Sequence, residues 1–153
     1  MTLILVRHGE ALPDSLNPKR PLSDRGIADI RRIATFLKNS GIPLEQIFHS
    51  TKLRARQTAE VIQKTVSPRS VIREIPGLEP DDPVDPMVSA AEEWTKNTVV
   101  VGHLPFLGIF LGCLTSADSD CPVALVTGTA VILEKNGHGH WKVHAVVSPA
   151  ILR

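Results

Sequence analysis

Three short segments of this chain carry residue types suited to handling a phosphoryl group. Arg7-His8-Gly9 follows an apolar run, Leu3-Ile4-Leu5-Val6. His49-Ser50 follows Ile47-Phe48, with Arg54 one helical turn beyond Ser50. Gly102-His103 follows Thr98-Val99-Val100-Val101. A guanidinium fork matches the geometry of phosphate oxygens and keeps its charge. A neutral imidazole can act as nucleophile near neutral pH. Each segment alone is weak evidence, because an arginine after a strand is most often a solvated surface residue. Their shared placement carries more weight: each lies at the end of an aliphatic run that reads as a buried strand.

The elements between them form an alternating α/β pattern. After the first strand, Glu10 to Leu22 holds Pro13, Pro18 and Pro21 and is not helical. Ser23 reads as an N-cap, with Asp24 in the favoured acidic first turn. Ile27, Ile30, Ile33, Ala34 and Leu37 then line one helix face, and Gly41 and Pro43 end it. Ser50 or Thr51 is expected to cap a second helix through Ala55, Thr58, Ala59 and Ile62. Val71–Ile75 is a third strand, Pro76 to Pro86 a surface loop, Met87 to Thr95 a helix, and Pro105 to Leu114 a largely apolar helix. Val123–Leu133 and Trp141–Val147 read as two strands joined at Asn136-Gly137. If the early strands are parallel, their C-terminal ends converge on one rim, where open α/β sheets bind ligands. Helix N-termini on that rim would add N–H donors for an anion.

Arg7-His8-Gly9-Glu10, Arg20-Pro21-Leu22-Ser23 with Gly26, Ser50 with Arg54-Ala55-x-Gln57-Thr58-Ala59, and Val101-Gly102-His103 together resemble the histidine phosphatase (phosphoglycerate mutase-like) superfamily. The motifs stand in family order and bracket about two thirds of the chain. The short length, without a large helical insertion, is most similar to phosphohistidine phosphatases of the SixA type. The resemblance implies a three-layer α/β/α sandwich around a mostly parallel sheet of about six strands, one of them antiparallel. It implies one histidine phosphatase domain over residues 1–153. It also implies a covalent route, in which His8 attacks phosphorus and water hydrolyses the phosphohistidine that forms. Arg7, Arg54 and His103 would hold the phosphoryl oxygens, and a hydrogen bond near Gly9 would fix the tautomer of His8. No cofactor or metal is expected. Asn17 and Ser50 are candidate phosphate contacts, though Ser50 reads first as a helix cap. Glu79, Asp81 and Asp82 are candidates for a general acid in the loop after the third strand.

Composition limits the alternatives. The chain has 153 residues, 42% of them hydrophobic and 22% charged, which suits a globular domain with a real core. Net charge of +1 and the lack of a dense Lys/Arg block argue against a nucleic-acid partner. No apolar run reaches the ~18 residues of a membrane span. The N-terminus lacks signal-peptide features, and two cysteines, Cys113 and Cys121, do not make a disulfide framework, so a cytoplasmic setting is expected. Cys113 reads as a buried small hydrophobe and Cys121 as a loop residue. His49 reads as structural, Arg56 as an ordinary helix-surface charge, and His138, His140 and His144 as exposed or structural rather than metal-binding. Leu104, Phe106, Leu107, Phe110 and Leu111 read as core.

The leading expectation is therefore a phosphatase that removes phosphate from phosphohistidine in a phosphotransfer protein. Only residues 76–97 separate the third strand from Thr98, too few to wall in a small metabolite as an enclosing lid would. The alternatives are a phosphatase of a small phosphate ester or nucleotide, and a phosphate-binding module without turnover.

Overall fold

The computed structural model describes residues 1–116 and 123–153; Cys121 lies outside the described residues. In chain order the elements are β1 (Thr2–Arg7), α1 (Asp24–Asn39), β2 (Gln46–His49), α2 (Leu53–Val66), β3 (Val71–Glu74), α3 (Asp85–Glu93), β4 (Thr98–Gly102), α4 (Phe106–Ser116), β5 (Ala130–Lys135) and β6 (Trp141–Val147), followed by a short 3-10 turn at Pro149–Leu152. One six-stranded sheet has the order β3-β2-β4-β1-β5-β6. β1, β2, β3 and β4 pair in parallel, and β5 runs antiparallel to both its neighbours. This is the mostly parallel sheet with a single antiparallel strand that the family resemblance implies.

The period of the strands sorts their side chains into two cores. Leu3 and Leu5 of β1 face a cluster with Phe48, Val100, Val131 and Leu133, covered by Met87 and Ala91 of α3 and Phe106 and Phe110 of α4. Ile4 and Val6 face the opposite cluster, with Val99 and Val101, covered by Ile30 and Ile33 of α1 and Ala59 and Ile62 of α2. Such alternation along aliphatic strands buries both faces, so the sheet needs helices on each side. The result is a three-layer sandwich in which β1 and β4 are central and parallel. Arg7 pairs in register with Gly102, which brings the two histidines that follow them to the same edge.

Several boundaries differ from the sequence expectation. Residues 123–129 are not strand: Gly128 takes a left-handed φ of 81° and β5 begins only at Ala130. Gly128 N–H donates to the carbonyls of Arg7 and His8 at 3.0 and 3.1 Å, and Thr129 O accepts from Arg7 N–H. The backbone there braces the end of β1 instead of extending the ladder. The β5–β6 connection is also longer than a two-residue turn. Asn136 N–H bonds His140 O, the Asn136 side chain accepts from the amides of His138 and His140, and the left-handed glycine is Gly139, not Gly137. α3 starts at Asp85, ahead of the expected Met87. Leu104 is exposed rather than core, while Phe106, Leu107, Phe110 and Leu111 are buried. Cys113 is a free, half-buried thiol.

Candidate active site

The site grows from the end of β1. His8 is 7% exposed, and its Nδ1 lies 2.7 Å from the carbonyl oxygen of Gly9. A carbonyl can only accept, so Nδ1 carries the proton and Nε2 holds the lone pair. The backbone around it is fastened on several sides. His8 N–H donates to Gly102 O, and Gly9 N–H donates to the buried Thr58 hydroxyl, which itself donates to Arg54 O. A Cβ on Gly9 would come within 2.8 Å of Ile30. Glycine is therefore required for the strand end to sit down on α1.

His103, at the end of β4, is 2% exposed, and its ring centroid is 5.1 Å from that of His8. Its Nε2 lies 2.5 Å from Ser50 Oγ, while its Nδ1 is buried without a partner among the described residues. Burial lowers His8 to about 4, helped by the charges of Arg54, Arg7 and Arg20 and opposed by the Gly9 carbonyl. Burial lowers His103 to about 3, with His8 and Arg54 adding to the effect. Both rings are therefore neutral near pH 7.

Guanidinium groups surround this pair. Arg7 is anchored by one Nη donating to Leu125 O at 2.8 Å, and its buried Nε has no partner among the described residues. Arg54, in the first turn of α2, makes no hydrogen bond or ion pair with any described side chain, and its Nε is likewise buried and unpaired. Burial and the nearby Arg20 lower its pKa, with Glu79 opposing. Arginine stays charged through such shifts. A set of buried, unpaired donors is costly unless an acceptor meets it. An oxyanion would supply acceptors of this kind.

Arg20 is the functional candidate that spacing alone missed. It lies close enough to lower both His8 and Arg54, and its Nε donates to Leu12 O with a left-handed φ of 46°. The loop that carries it is closed at its base. Ala11 bridges Leu22, Leu22 N–H donates to Gln57 Oε1, and Ser23 N–H donates to Glu10 O. The Ser23 hydroxyl caps α1 by accepting from Gly26 N–H at 3.0 Å. The sequence signal was present in Arg20-Pro21-Leu22-Ser23, which matched the family yet looked like a helix approach.

The weaker candidates separate cleanly. Ser50 is fully buried and is not the cap of α2, whose N-cap is Lys52. Its hydroxyl accepts from Lys52 N–H at 3.3 Å and meets His103. Asn17 spends its side-chain oxygen on Lys19 N–H within its own loop. Of the three acids, Glu79 faces the site: one oxygen accepts from both Thr51 N–H and the Thr51 hydroxyl, and the other lies 3.8 Å from Lys52 Nζ. Burial alone would raise Glu79, but the Thr51 hydrogen bonds and Lys52 outweigh it and hold the carboxylate ionised. Asp82 accepts from Glu79 N–H and shapes that loop, and Asp81 is exposed. His49 donates from Nδ1 to Ser50 O and is buried as a structural residue. His138, His140 and His144 are exposed, with His144 3.8 Å from Glu134. No group of three or more His, Cys, Asp or Glu among the described residues is placed to hold a metal ion.

Comparison with known proteins assigns this architecture to a family. The profile of the histidine phosphatase superfamily (branch 1) matches residues 3–79, and the chain belongs to that superfamily. It is 28% identical to the phosphohistidine phosphatase SixA of Escherichia coli (strain K12), over 94% of this chain and 93% of that one. The structure of a protein histidine phosphatase SixA complexed with tungstate superposes with a TM-score of 0.89, at 25% identity and with full coverage of both chains. A phosphoserine phosphatase from Entamoeba histolytica shares the fold at TM-score 0.74 and 17% identity, covering 96% of each chain.

Proposed function

We propose that this protein is a phosphohistidine phosphatase working through a covalent intermediate on His8. The observation that carries the proposal is the His8 Nδ1 contact to Gly9 O, which leaves Nε2 unprotonated and free to attack. In the first step the Nε2 lone pair bonds to phosphorus as the P–N bond to the substrate imidazole breaks, and the departing ring nitrogen takes a proton from solvent water. In the second, water attacks phosphorus, the P–N bond to His8 breaks, and phosphate departs. Arg7, Arg54 and His103 bear on the phosphoryl oxygens, and Arg20 adds to the field. Positioning and electrostatics of this kind supply most of the catalysis in phosphoryl transfer. In this reading Glu79, held ionised, would accept a proton from the attacking water.

A protein substrate is supported by the 28% identity to an enzyme named for phosphohistidine and by the surroundings of the site. α3 is packed into the core through Met87 and Ala91, so this helix is not a lid over the site. The tungstate held by the SixA structure is a tetrahedral oxyanion, the shape the unpaired donors here would fit. No described helix is long and apolar enough to cross a membrane, and we place the enzyme in the cytoplasm, where Cys113 would remain a thiol. The test is side-by-side turnover of a phosphohistidine protein and a panel of phosphate esters and nucleotides. The proposal expects kcat/KM to favour the phosphohistidine protein by orders of magnitude; a metabolite preferred by that margin would overturn the substrate assignment.

A further inference from the structure

The surface beside the site is divided by charge. A cleft of about 660 Å³ opens next to Arg54 and is lined by Lys19, Arg20, Lys52, Arg54 and Arg56, with Asp14 the only acid on its walls among the described residues. A second cleft, of about 500 Å³, shares Thr51 and Lys52 with the first and is walled by Glu79, Asp81 and Asp82. The chain as a whole is nearly balanced at +1, so this separation is local rather than a reflection of composition. The cations of the first cleft are poorly neutralised. Lys19 and Arg20 form no ion pair with a described residue, and Arg56 reaches Glu60 only at 3.7 Å between exposed side chains, a contact that contributes little.

We propose that the basic cleft is the docking surface for an acidic stretch of the phosphorylated protein substrate, directly adjoining its phosphohistidine. This rests on the phosphohistidine reading above and adds the charge of the partner's flanking surface. A cleft of one sign raises the local concentration of its complement and speeds encounter. The acidic cleft across Lys52 repels the same stretch, so the pair of clefts would fix which way round the substrate lies. The alternative occupant, a small polyphosphate, would gain from the same cations without needing a flanking sequence.

The test uses synthetic phosphohistidine peptides of equal length, flanked by Asp/Glu, by Ser/Gly or by Lys, with p-nitrophenyl phosphate and a nucleoside triphosphate as controls. Wild-type enzyme should prefer the acidic-flanked peptide over the Lys-flanked one by roughly tenfold or more in kcat/KM, through KM, and the preference should shrink as salt rises. Lys19→Glu with Arg56→Glu should abolish or invert the ranking yet leave p-nitrophenyl phosphate turnover unchanged, which also reports that the variant is folded. Lys19→Arg with Arg56→Lys should keep the ranking. An unaltered ranking in the charge-reversed variant, or an equal loss on peptides and p-nitrophenyl phosphate, would overturn the proposal. So would a larger loss on the nucleoside triphosphate than on the acidic peptide. If wild type cleaves p-nitrophenyl phosphate but no phosphohistidine peptide, the phosphohistidine reading itself fails, and this proposal with it.

Discussion

His8 Nδ1 lies 2.7 Å from the carbonyl oxygen of its chain neighbour Gly9, and that contact leaves Nε2 as the ring nitrogen with the free lone pair. The proton is held on the main-chain side, and Nε2 keeps its lone pair. Burial and the surrounding arginines then keep the ring from charging. Tautomer and charge state are thus both fixed before any substrate arrives, which is the preorganisation that phosphoryl transfer rewards.

The first prediction concerns pH. A free histidine titrates near ~6.5, whereas His8 is lowered to about 4 and His103 to about 3. His8 should therefore remain a neutral nucleophile through the range where free imidazole gains its proton. Below pH ~6.5 the unfolded chain binds more protons at these two sites than the folded one, so stability should fall with pH from there down through about 4 for His8 and about 3 for His103. NMR titration of the imidazole resonances checks both points. Midpoints near the free value would contradict the buried, cation-ringed site.

Arg54 is expected to act through its fork as well as its charge. Arg54→Ala should cost about 3–4 kcal/mol of transition-state stabilisation, the scale of losing one oxyanion donor. Arg54→Lys should recover only part of it, since an ammonium cannot bond two oxygens in one plane. Steady-state kinetics together with the Kd for vanadate or tungstate separate the outcomes. A near-neutral Arg54→Ala would remove the residue from the site.

Ser50 is buried against His103, and its hydroxyl can donate to His103 Nε2 while accepting from Lys52 N–H. A hydroxyl donating to Nε2 would hold the His103 proton on Nδ1, which is buried without a partner among the described residues. Ser50→Ala should lower kcat by an amount corresponding to about 1–3 kcal/mol, the cost of one broken buried hydrogen bond, with KM little changed. The 15N chemical shifts of His103 should report a loss of tautomer preference. Unchanged shifts would assign Ser50 a packing role only.

Gly26 shows how closely the Arg20 loop is pressed onto α1. A Cβ there would stand 2.1 Å from Glu10 O, a main-chain atom that cannot step aside. Gly26→Ala should destabilise the fold by at least the ~1–3 kcal/mol typical of overpacking, read as a lowered thermal midpoint. It should also lower kcat, because Glu10 follows Gly9 directly. Loss of stability with full activity would show that the loop can shift without disturbing His8.

Much of the fold was legible because it rests on periodicity. The aliphatic runs of β1 and β4 are buried on both faces, and the apolar face of α1 has a capping serine at its start, so both patterns survive in one dimension. Arg7, His8, Arg54 and His103 were legible as candidates because they sit where those patterns stop. What escaped were the residues whose meaning is set by long-range contact. Gly128 interrupts an aliphatic stretch that reads as strand, and only its amide, bonded to Arg7 O and His8 O, explains the break. Ser50 stands where a helix cap belongs, yet its hydroxyl is directed to a histidine 53 residues away. Glu79 was one of three acids until the Thr51 amide and hydroxyl distinguished it from Asp81 and Asp82.

The central claim is that His8 itself carries the phosphoryl group. Rapid quenching during turnover of radiolabelled substrate tests it most directly, followed by mapping of the label. The account predicts an acid-labile, alkali-stable phosphohistidine at His8 that is chased by unlabelled substrate and absent in His8→Ala, which should be inactive. Wild-type turnover by His8→Ala, or label residing on another residue, would contradict it.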